Sequence, residues 1–174
     1  MNIRLENKLT LGQILAGKDK TILFAGVGNV LKKDDGAGVY IATGIRDNGR
    51  ISGLPVEMGI ENHIGKINSL APDILVIADA ADFGRQPGFW RLAGVDEMTG
   101  LTTGTHNISF AKLSELFLMP VYVLGVQPFD VTFGEEMSGP VIKAVKNITE
   151  LINSFSGSRS ATNPSQNMAR SINF

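Results

Sequence analysis

Short apolar runs alternate with longer amphipathic stretches from Thr21 onward. The first three runs read TILFAGV, PVEMGI and DILVIADA, at residues 21–27, 55–60 and 73–80. The stretches between them, residues 36–48 and 61–71, have the mixed polarity of surface helices. Residues 74–78 are apolar at every position, as expected for a strand that helices cover on both sheet faces. This βαβαβ order predicts a parallel, doubly wound sheet.

The second half of the chain predicts two more strands and two helices. Residues 88–92 (GFWRL) follow a Gln-Pro-Gly turn and predict a short strand at an edge, and residues 121–126 predict another buried strand. A helix over 105–118 is stopped by Pro120. The last helix has Ser138 as N-cap, Pro140 in its first turn, and an apolar stripe of Val141, Val145, Ile148 and Ile152. The expected fold is α/β, with a three-layer, mostly parallel, twisted five-stranded sheet and helices on both faces.

The chain is predicted to contain one compact domain over residues 20–155. Its length of 174 residues and its 43% hydrophobic content suit a single core. Residues 1–19 have loosely helical leucine spacing and predict an N-terminal arm or short helix. Residues 156–174 are small and polar, so we expect a tail that is disordered or ordered only by a partner.

Composition excludes several classes of function. A formal charge of −1 gives no basic surface for nucleic acid or an anionic membrane. The absence of cysteine excludes disulfides, thiolate zinc sites and a cysteine nucleophile, so any metal has to be held by oxygen and histidine. No segment has the uninterrupted apolar length of a signal peptide or a membrane span, which favours a cytoplasmic protein without membrane insertion. We expect a monomer.

The segment Gly26–Gly38, GVGNVLKKDDGAG, is termed here the glycine–aspartate loop. A dinucleotide-binding loop needs a third glycine where Leu31 stands, and no Gly-Lys-Ser/Thr follows the strand. Two adjacent carboxylates, Asp34 and Asp35, would repel a phosphate by roughly several kcal/mol at low effective dielectric. The loop is therefore better suited to a cation or to donating hydrogen bonds.

Each acidic residue also has a plainer interpretation. Asp34 or Asp35 is equally compatible with capping the helix that begins near Gly36, and the glycines with serving as turn residues. Asp79 lies at the carboxyl end of the third strand, where open α/β sheets bind ligands. Its alternative role is a cap or a carboxylate that orients a neighbouring ligand.

The two histidines complete the candidate set. His106, in TTGTHNIS, begins the helix predicted over 105–118. A helix N-terminus favours the neutral imidazole that a metal requires, although a lone histidine is more often a hydrogen-bonded surface or core group. His63 is interpreted as structural or as a neighbour of the substrate.

Taken together, these motifs resemble the hydrogenase maturation endopeptidases, which trim the C-terminus of the large subunit of nickel-iron hydrogenases. The family pattern GxGNxLxxDDGxG matches the whole glycine–aspartate loop. A strand-end aspartate followed by a Pro-Gly turn matches IADAADFGRQPG, and a THN helix start matches residues 105–107. The sequences LGVQP and MSGPVIKAV resemble the branch that serves formate-hydrogenlyase-type enzymes.

The resemblance implies a function and a set of site residues. It implies an aspartyl-type endopeptidase acting on a nickel-iron hydrogenase large-subunit precursor, with Asp35, Asp79 and His106 as the metal-contacting and catalytic residues. Nickel is expected to arrive on the substrate, bound to its cysteines, and to act as a recognition element. Asn29 and Asn107 are expected to orient the site.

Two alternatives stay open at this stage. The same three residues would serve a metal-dependent hydrolase of a small molecule, which would retain stoichiometric metal. A non-enzymatic binding module, with the aspartates acting as helix caps, would tolerate alanine at Asp79 and His106 with only small changes in stability.

Overall fold

The computed structural model describes residues 11–57, 59–98, 101 and 110–155, and these residues build a five-stranded sheet. The strands are β1 (Ile22–Val27), β2 (Ile51–Glu57), β3 (Ile74–Ala80), β4 (Trp90–Gly94) and β5 (Val121–Val126). Their order is β2-β1-β3-β5-β4, and β4 runs antiparallel to β5 while the other described pairs are parallel. The predicted α/β fold with an added strand at an edge is confirmed.

Helices cover both faces of this sheet, as predicted. They are α1 (residues 11–16), α2 (Ala37–Gly44), α3 (Ile64–Leu70), α4 (Phe110–Ser114) and α5 (Gly139–Ser154). One core cluster joins α1, α2 and α5 to the sheet, and a second joins α3 and the α4 region to its other face. Within the described part of the chain, no helix is both long enough and apolar enough to span a bilayer.

The second strand begins earlier than its apolar pattern indicates. The prediction placed it at 55–60, whereas β2 runs from Ile51 to Glu57 and Ile60 already belongs to a 3-10 turn. β2 lies at a sheet edge and is half-exposed, so its sequence is not a continuous apolar run. Pro55 fits there because an edge strand has one side without ladder partners.

The helix predicted over 105–118 ends sooner than Pro120 requires. Residues 102–109 lie outside the described residues, and α4 ends at Ser114. The following turn is held from α3, where Asn68 donates to the carbonyl of Leu116 and accepts from the backbone N–H of Leu118. A tertiary contact from a distant asparagine thus replaces the helical hydrogen bonds.

The two terminal helices pack against the same face of the sheet. Leu11 and Leu15 of α1 are fully buried in the core cluster that contains α5. Arg50 donates hydrogen bonds to the carbonyls of Leu15 and Gly17, each at 3.0 Å, and so closes the end of α1. Ser138 is the N-cap residue of α5, as predicted. Three of the four stripe residues of α5 are fully buried, namely Val141, Ile148 and Ile152.

Candidate active site

The carboxyl ends of β1 and β3 bring the glycine–aspartate loop next to Asp79. Gly26 pairs with Ala78 in the parallel ladder, so the chain leaves β1 beside the residue that precedes Asp79. Asp79 is 0% exposed, and its Oδ1 accepts a hydrogen bond from the backbone N–H of Ala80 at 2.8 Å. The predicted position of this carboxylate at the end of a strand is confirmed.

Close backbone packing explains two glycines of the loop. A side chain at Gly38 would place its Cβ 2.0 Å from the carbonyl oxygen of Ala78, so the start of α2 lies directly against the carboxyl end of β3. Gly28 has a φ of 135°, and a Cβ there would lie 1.8 Å from the carbonyl oxygen of Asp35. The positive φ of Gly28 confirms the interpretation as a turn residue at that position, and both glycines also set how closely the loop and α2 approach the strands.

Asp35 lies on the 3-10 turn Lys33–Gly36 that precedes α2. Its side chain is buried, and Oδ2 accepts a hydrogen bond from the backbone N–H of Asn29 at 3.0 Å. The side chain of Asn29 in turn accepts from the backbone N–H of Leu31 at 2.9 Å. This small network fixes the first half of the loop relative to the Asp35 carboxylate.

Asp34 has a different role from its neighbour. It is 0% exposed and accepts hydrogen bonds from four donors in the segment between β5 and α5 (residues 127–138), termed here the β5–α5 loop. The donors are the backbone N–H groups of Phe129, Asp130 and Ser138 and the hydroxyl of Ser138, at 2.7–3.0 Å. Neither the 3-10 turn nor α2 has a side-chain cap, so the capping interpretation of both aspartates is wrong.

The structure brings Asp35 and Asp79 to the end of the sheet where the parallel strands β1 and β3 terminate. The 3-10 turn that carries Asp35 packs against β3, which carries Asp79. His106 and Asn107 lie outside the described residues. Among the residues that are described, no three His, Asp or Glu side chains group closely enough to hold a metal ion. The described part of the site is thus a pair of buried carboxylates.

Gln127 is a site-organising residue that the sequence analysis did not single out. It follows β5, is 6% exposed, and its Oε1 accepts from the backbone N–H groups of Phe83 and Arg85 at 2.7 and 3.2 Å. Its Nε2 donates to Asp82 at 3.1 Å. A hydrogen bond from the N–H of Gly84, followed by that from Gln127, lowers the pKa of Asp82. One buried amide therefore holds the turn that follows Asp79. The available signal was a glutamine directly after an apolar strand.

Two other candidate features are His63 and a cavity between α2 and α5. His63 ends the 3-10 turn after β2, and its Nδ1 lies 3.4 Å from the carbonyl oxygen of Gly59. A cavity of about 760 Å³ opens between α2 and α5. Its lining includes Tyr40, Arg46, Met137 and Glu150. Neither Asp35 nor Asp79 lines it, so the carboxylate pair does not open into this cavity.

Comparison with known proteins places these residues in a family. The sequence model of the HycI hydrogenase maturation proteases matches residues 58–154. The hydrogenase 3 maturation protease of Escherichia coli strain K12 is 31% identical over 137 residues, covering 75% of this chain and 88% of that protein. The hydrogenase expression/formation protein HupD of Rhizobium leguminosarum bv. viciae is 28% identical over 148 residues, covering 73% and 67% respectively.

Solved structures agree with the sequence relatives. The crystal structure of the [NiFe] hydrogenase maturation protease HycI from Thermococcus kodakarensis KOD1 superposes with a TM-score of 0.72 at 25% identity, covering 84% of this chain and 98% of that one. The solution structure of the endopeptidase HycI from Escherichia coli gives a TM-score of 0.67 at 29% identity, covering 79% and 92%. The sequence relatives and the fold agree, and the chain belongs to the hydrogenase maturation protease family of peptidases.

Proposed function

We propose that this protein is an aspartyl-type endopeptidase that removes the C-terminal extension of a nickel-iron hydrogenase large-subunit precursor after nickel insertion. Family membership supports a peptidase of hydrogenase maturation. The relatives named for hydrogenase 3 and for HycI suggest a precursor of that branch. We place the reaction in the cytoplasm, where the precursor would be assembled.

The single observation that carries the proposal is the placement of Asp35 and Asp79 at the same end of the sheet, where the parallel strands β1 and β3 terminate. Both carboxylates are buried, and they come from positions far apart in the chain. One of them, in its ionised form, would accept a proton from water while the water oxygen attacks the scissile carbonyl carbon. A protonated group of the site would then donate to the leaving nitrogen as the C–N bond breaks. The products are a free carboxylate and a free amine.

The donor set also suits a substrate that carries nickel. Carboxylate and imidazole ligands bind divalent metals of borderline hardness, nickel among them. Asp34 does not suit this role, because four hydrogen bonds from the β5–α5 loop already occupy its oxygens. We therefore assign the reading of the substrate-bound nickel to Asp35 and Asp79, with His106 as the third contact. The metal remains on the substrate throughout.

The two alternatives make different predictions. A small-molecule hydrolase would purify with stoichiometric metal, whereas a protease that reads nickel on its substrate would purify with little. A non-enzymatic module would keep its function in the Asp79→Ala and His106→Ala variants. Membership of a peptidase family favours the endopeptidase over both.

The test is cleavage of a nickel-loaded large-subunit precursor, followed by mass spectrometry of its C-terminus. We expect loss of one C-terminal peptide, and no loss from the nickel-free precursor. Asp35→Asn and Asp79→Asn should slow cleavage by about a hundredfold or more, the scale of a lost acid–base group.

A matched control is available for these variants. Asp96→Asn also removes one carboxylate, but Asp96 is exposed and follows the end of β4 that pairs with the start of β5, opposite the candidate site. Its cleavage rate should equal that of the wild type. The proposed function would be refuted if the nickel-loaded precursor stayed intact after prolonged incubation with correctly folded protein.

A further inference from the structure

The four donors to Asp34 all belong to one loop, although the carboxylate belongs to another. A buried carboxylate is costly unless hydrogen bonds compensate for its lost hydration. Here the β5–α5 loop supplies every compensating bond that the described structure shows for Asp34, at both ends of that loop, near Phe129 and at Ser138. The buried carboxylate of Asp34 therefore holds both ends of the β5–α5 loop in place.

A second set of contacts joins the same two segments. The backbone N–H of Lys33 donates to the carbonyl of Gly134, and the N–H of Gly134 donates to the carbonyl of Leu31, both at 2.9 Å. The backbone N–H of Asp34 donates to the carbonyl of Asp130 at 3.1 Å, and the ammonium group of Lys33 pairs with the carboxylate of Asp130. Residues 31–34 of the glycine–aspartate loop and the β5–α5 loop thus form one hydrogen-bonded unit.

This unit presents large apolar side chains to solvent. Phe129 is 74% exposed, Phe133 is 77% exposed, and Leu31 is 56% exposed. The ammonium group of Lys32 lies 5.4 Å from the centre of the Phe133 ring, within cation–π range. These three apolar residues are termed here the apolar surface. Exposed aromatic side chains on a loop whose backbone is held by hydrogen bonds are typical of protein recognition.

We propose that Asp34 is a positioning residue that holds the apolar surface beside Asp35, and that this surface binds an apolar segment of the protein substrate. This inference rests on the proposed function. Leu31 precedes Asp35 by four positions, and Phe129 is hydrogen-bonded to the residue next to Asp35. A polypeptide lying across Asp35 for cleavage would therefore meet the apolar surface. The occupant is the hydrogenase precursor itself, because the surface is continuous with the loop that carries the candidate carboxylate.

The test separates KM from kcat in cleavage of the nickel-loaded precursor. Phe129→Ala and Phe133→Ala should each raise KM by about tenfold, the effect of truncating an aromatic contact residue, with kcat within about twofold of the wild type. Asp34→Asn replaces one oxygen by an N–H₂ group that faces donors, so it should also raise KM. In the Asp34→Asn/Phe129→Ala double variant the two effects should be less than additive, because Phe129 contributes only while the loop is held.

Matched variants exclude a general loss of stability. Leu70→Ala removes an apolar side chain with the same 56% exposure as Leu31, but at the end of α3, and should leave KM unchanged. If Asp34→Asn does not fold, Ser138→Ala removes one of the four donors and should raise KM to a smaller degree. An unchanged KM in both phenylalanine variants would overturn the inference. So would a wild-type dimer that dissociates in Phe133→Ala, since the surface would then bind a second copy.

A separate binding measurement distinguishes this inference from the proposed function. Precursor binding is measured without cleavage, by surface plasmon resonance at low temperature. Cleavage that does not depend on Phe129 and Phe133 refutes the inference and leaves the proposed function standing. If precursor binding depends on both residues but the separate cleavage assay gives no product, the apolar surface is supported and the endopeptidase is refuted.

Discussion

Asp34 and Ser138 are joined by two hydrogen bonds, although 104 positions separate them in the chain. The backbone N–H of Ser138 donates to Oδ1 at 2.7 Å, and its hydroxyl donates to Oδ2 at 2.9 Å. Ser138 is the N-cap residue of α5, yet its hydroxyl makes no cap hydrogen bond. The start of the last helix is thereby fixed to the loop that follows the first strand.

Replacing Ser138 by alanine tests the strength of this contact. The variant loses the hydroxyl donor and keeps the backbone donor, so we expect a decrease of about 1–2 kcal/mol in the free energy of unfolding. The measurement is urea unfolding. Ser69→Ala is the control, since the hydroxyl of Ser69 bonds its own helix at the carbonyl of Gly65 on the exposed face of α3. A loss below about 0.5 kcal/mol is expected there. Equal losses in the two variants would contradict the role of Ser138.

Gly38→Ala tests the close approach of α2 to the sheet. A Cβ at this position would lie 2.0 Å from the carbonyl oxygen of Ala78 and 2.4 Å from that of Val27, and backbone atoms cannot move aside cheaply. We expect a loss of about 2–3 kcal/mol or more in the free energy of unfolding. Gly65→Ala adds the same methyl group in α3, where no packing atom of the described residues lies within 4 Å, and should be neutral or stabilising by up to about 1 kcal/mol. A Gly38→Ala variant as stable as the wild type would refute the packing argument.

Apolar pattern predicts the buried strands well and the edges poorly. β3 and β5 lie inside the sheet, so their sequences are continuous apolar runs and their bounds are close to those predicted. β2 contacts the sheet on one side, and its first residues, Ile51 to Leu54, include polar and small positions that pattern alone does not assign to a strand. The predicted end of α4 is wrong for a related reason. The turn that follows Ser114 is held by the side chain of Asn68, which lies 48 positions away in the chain from the carbonyl it binds.

The candidate site shows the same division. The position of Asp79 follows from the rule that ligands lie beyond the carboxyl ends of parallel strands. The choice of Asp35, on the 3-10 turn that packs against β3, follows from the resemblance of the loop motif. The resemblance selects Asp35 for the site, but the structural role of Asp34 does not follow from the sequence pattern. It depends on which way two adjacent side chains point, and therefore on the loop between β5 and α5, about 100 positions away. The role of Gln127 was missed for this reason too.

Gln127→Leu tests whether one amide organises the turn after Asp79. The backbone N–H groups of Phe83 and Arg85 would lose their acceptor, so their hydrogen exchange should accelerate by at least about fivefold, since each lost hydrogen bond is worth about 1 kcal/mol or more. The exchange rates are measured by mass spectrometry on peptides that cover residues 82–89. Amides of β3 should keep their protection. Unchanged exchange at Phe83 and Arg85 would show that the turn is held by other contacts.

The pH dependence of stability tests the ion pair between the two joined loops. A hydrogen bond from Lys33, followed by those from Thr132, lowers the pKa of Asp130 to about 2, compared with about 3.9 for an unperturbed carboxyl group. Between these values the unfolded chain takes up a proton at Asp130 and the folded chain does not, so acid favours unfolding. The stability that Asp130 contributes is therefore complete above about pH 5 and is lost as the pH falls through about 2.

Comparison of the wild type with Asp130→Asn isolates this contribution. The difference in the free energy of unfolding between the two proteins should be constant from neutral pH down to about 5, shrink below about pH 4, and reach its minimum below about pH 2. Urea unfolding at a series of pH values measures it. Lys33→Met removes the first cause of the lowered pKa, so the pKa of Asp130 in the folded protein should rise toward that of an ordinary carboxyl group. The pH-dependent part of the difference between Lys33→Met and Lys33→Met/Asp130→Asn should therefore be smaller than in the wild-type background. A difference between wild type and Asp130→Asn that stays the same from pH 7 to pH 2 would show that the ion pair does not fix the β5–α5 loop, and the arrangement would then depend on the hydrogen bonds to the Asp34 carboxylate and on the backbone hydrogen bonds between the two loops.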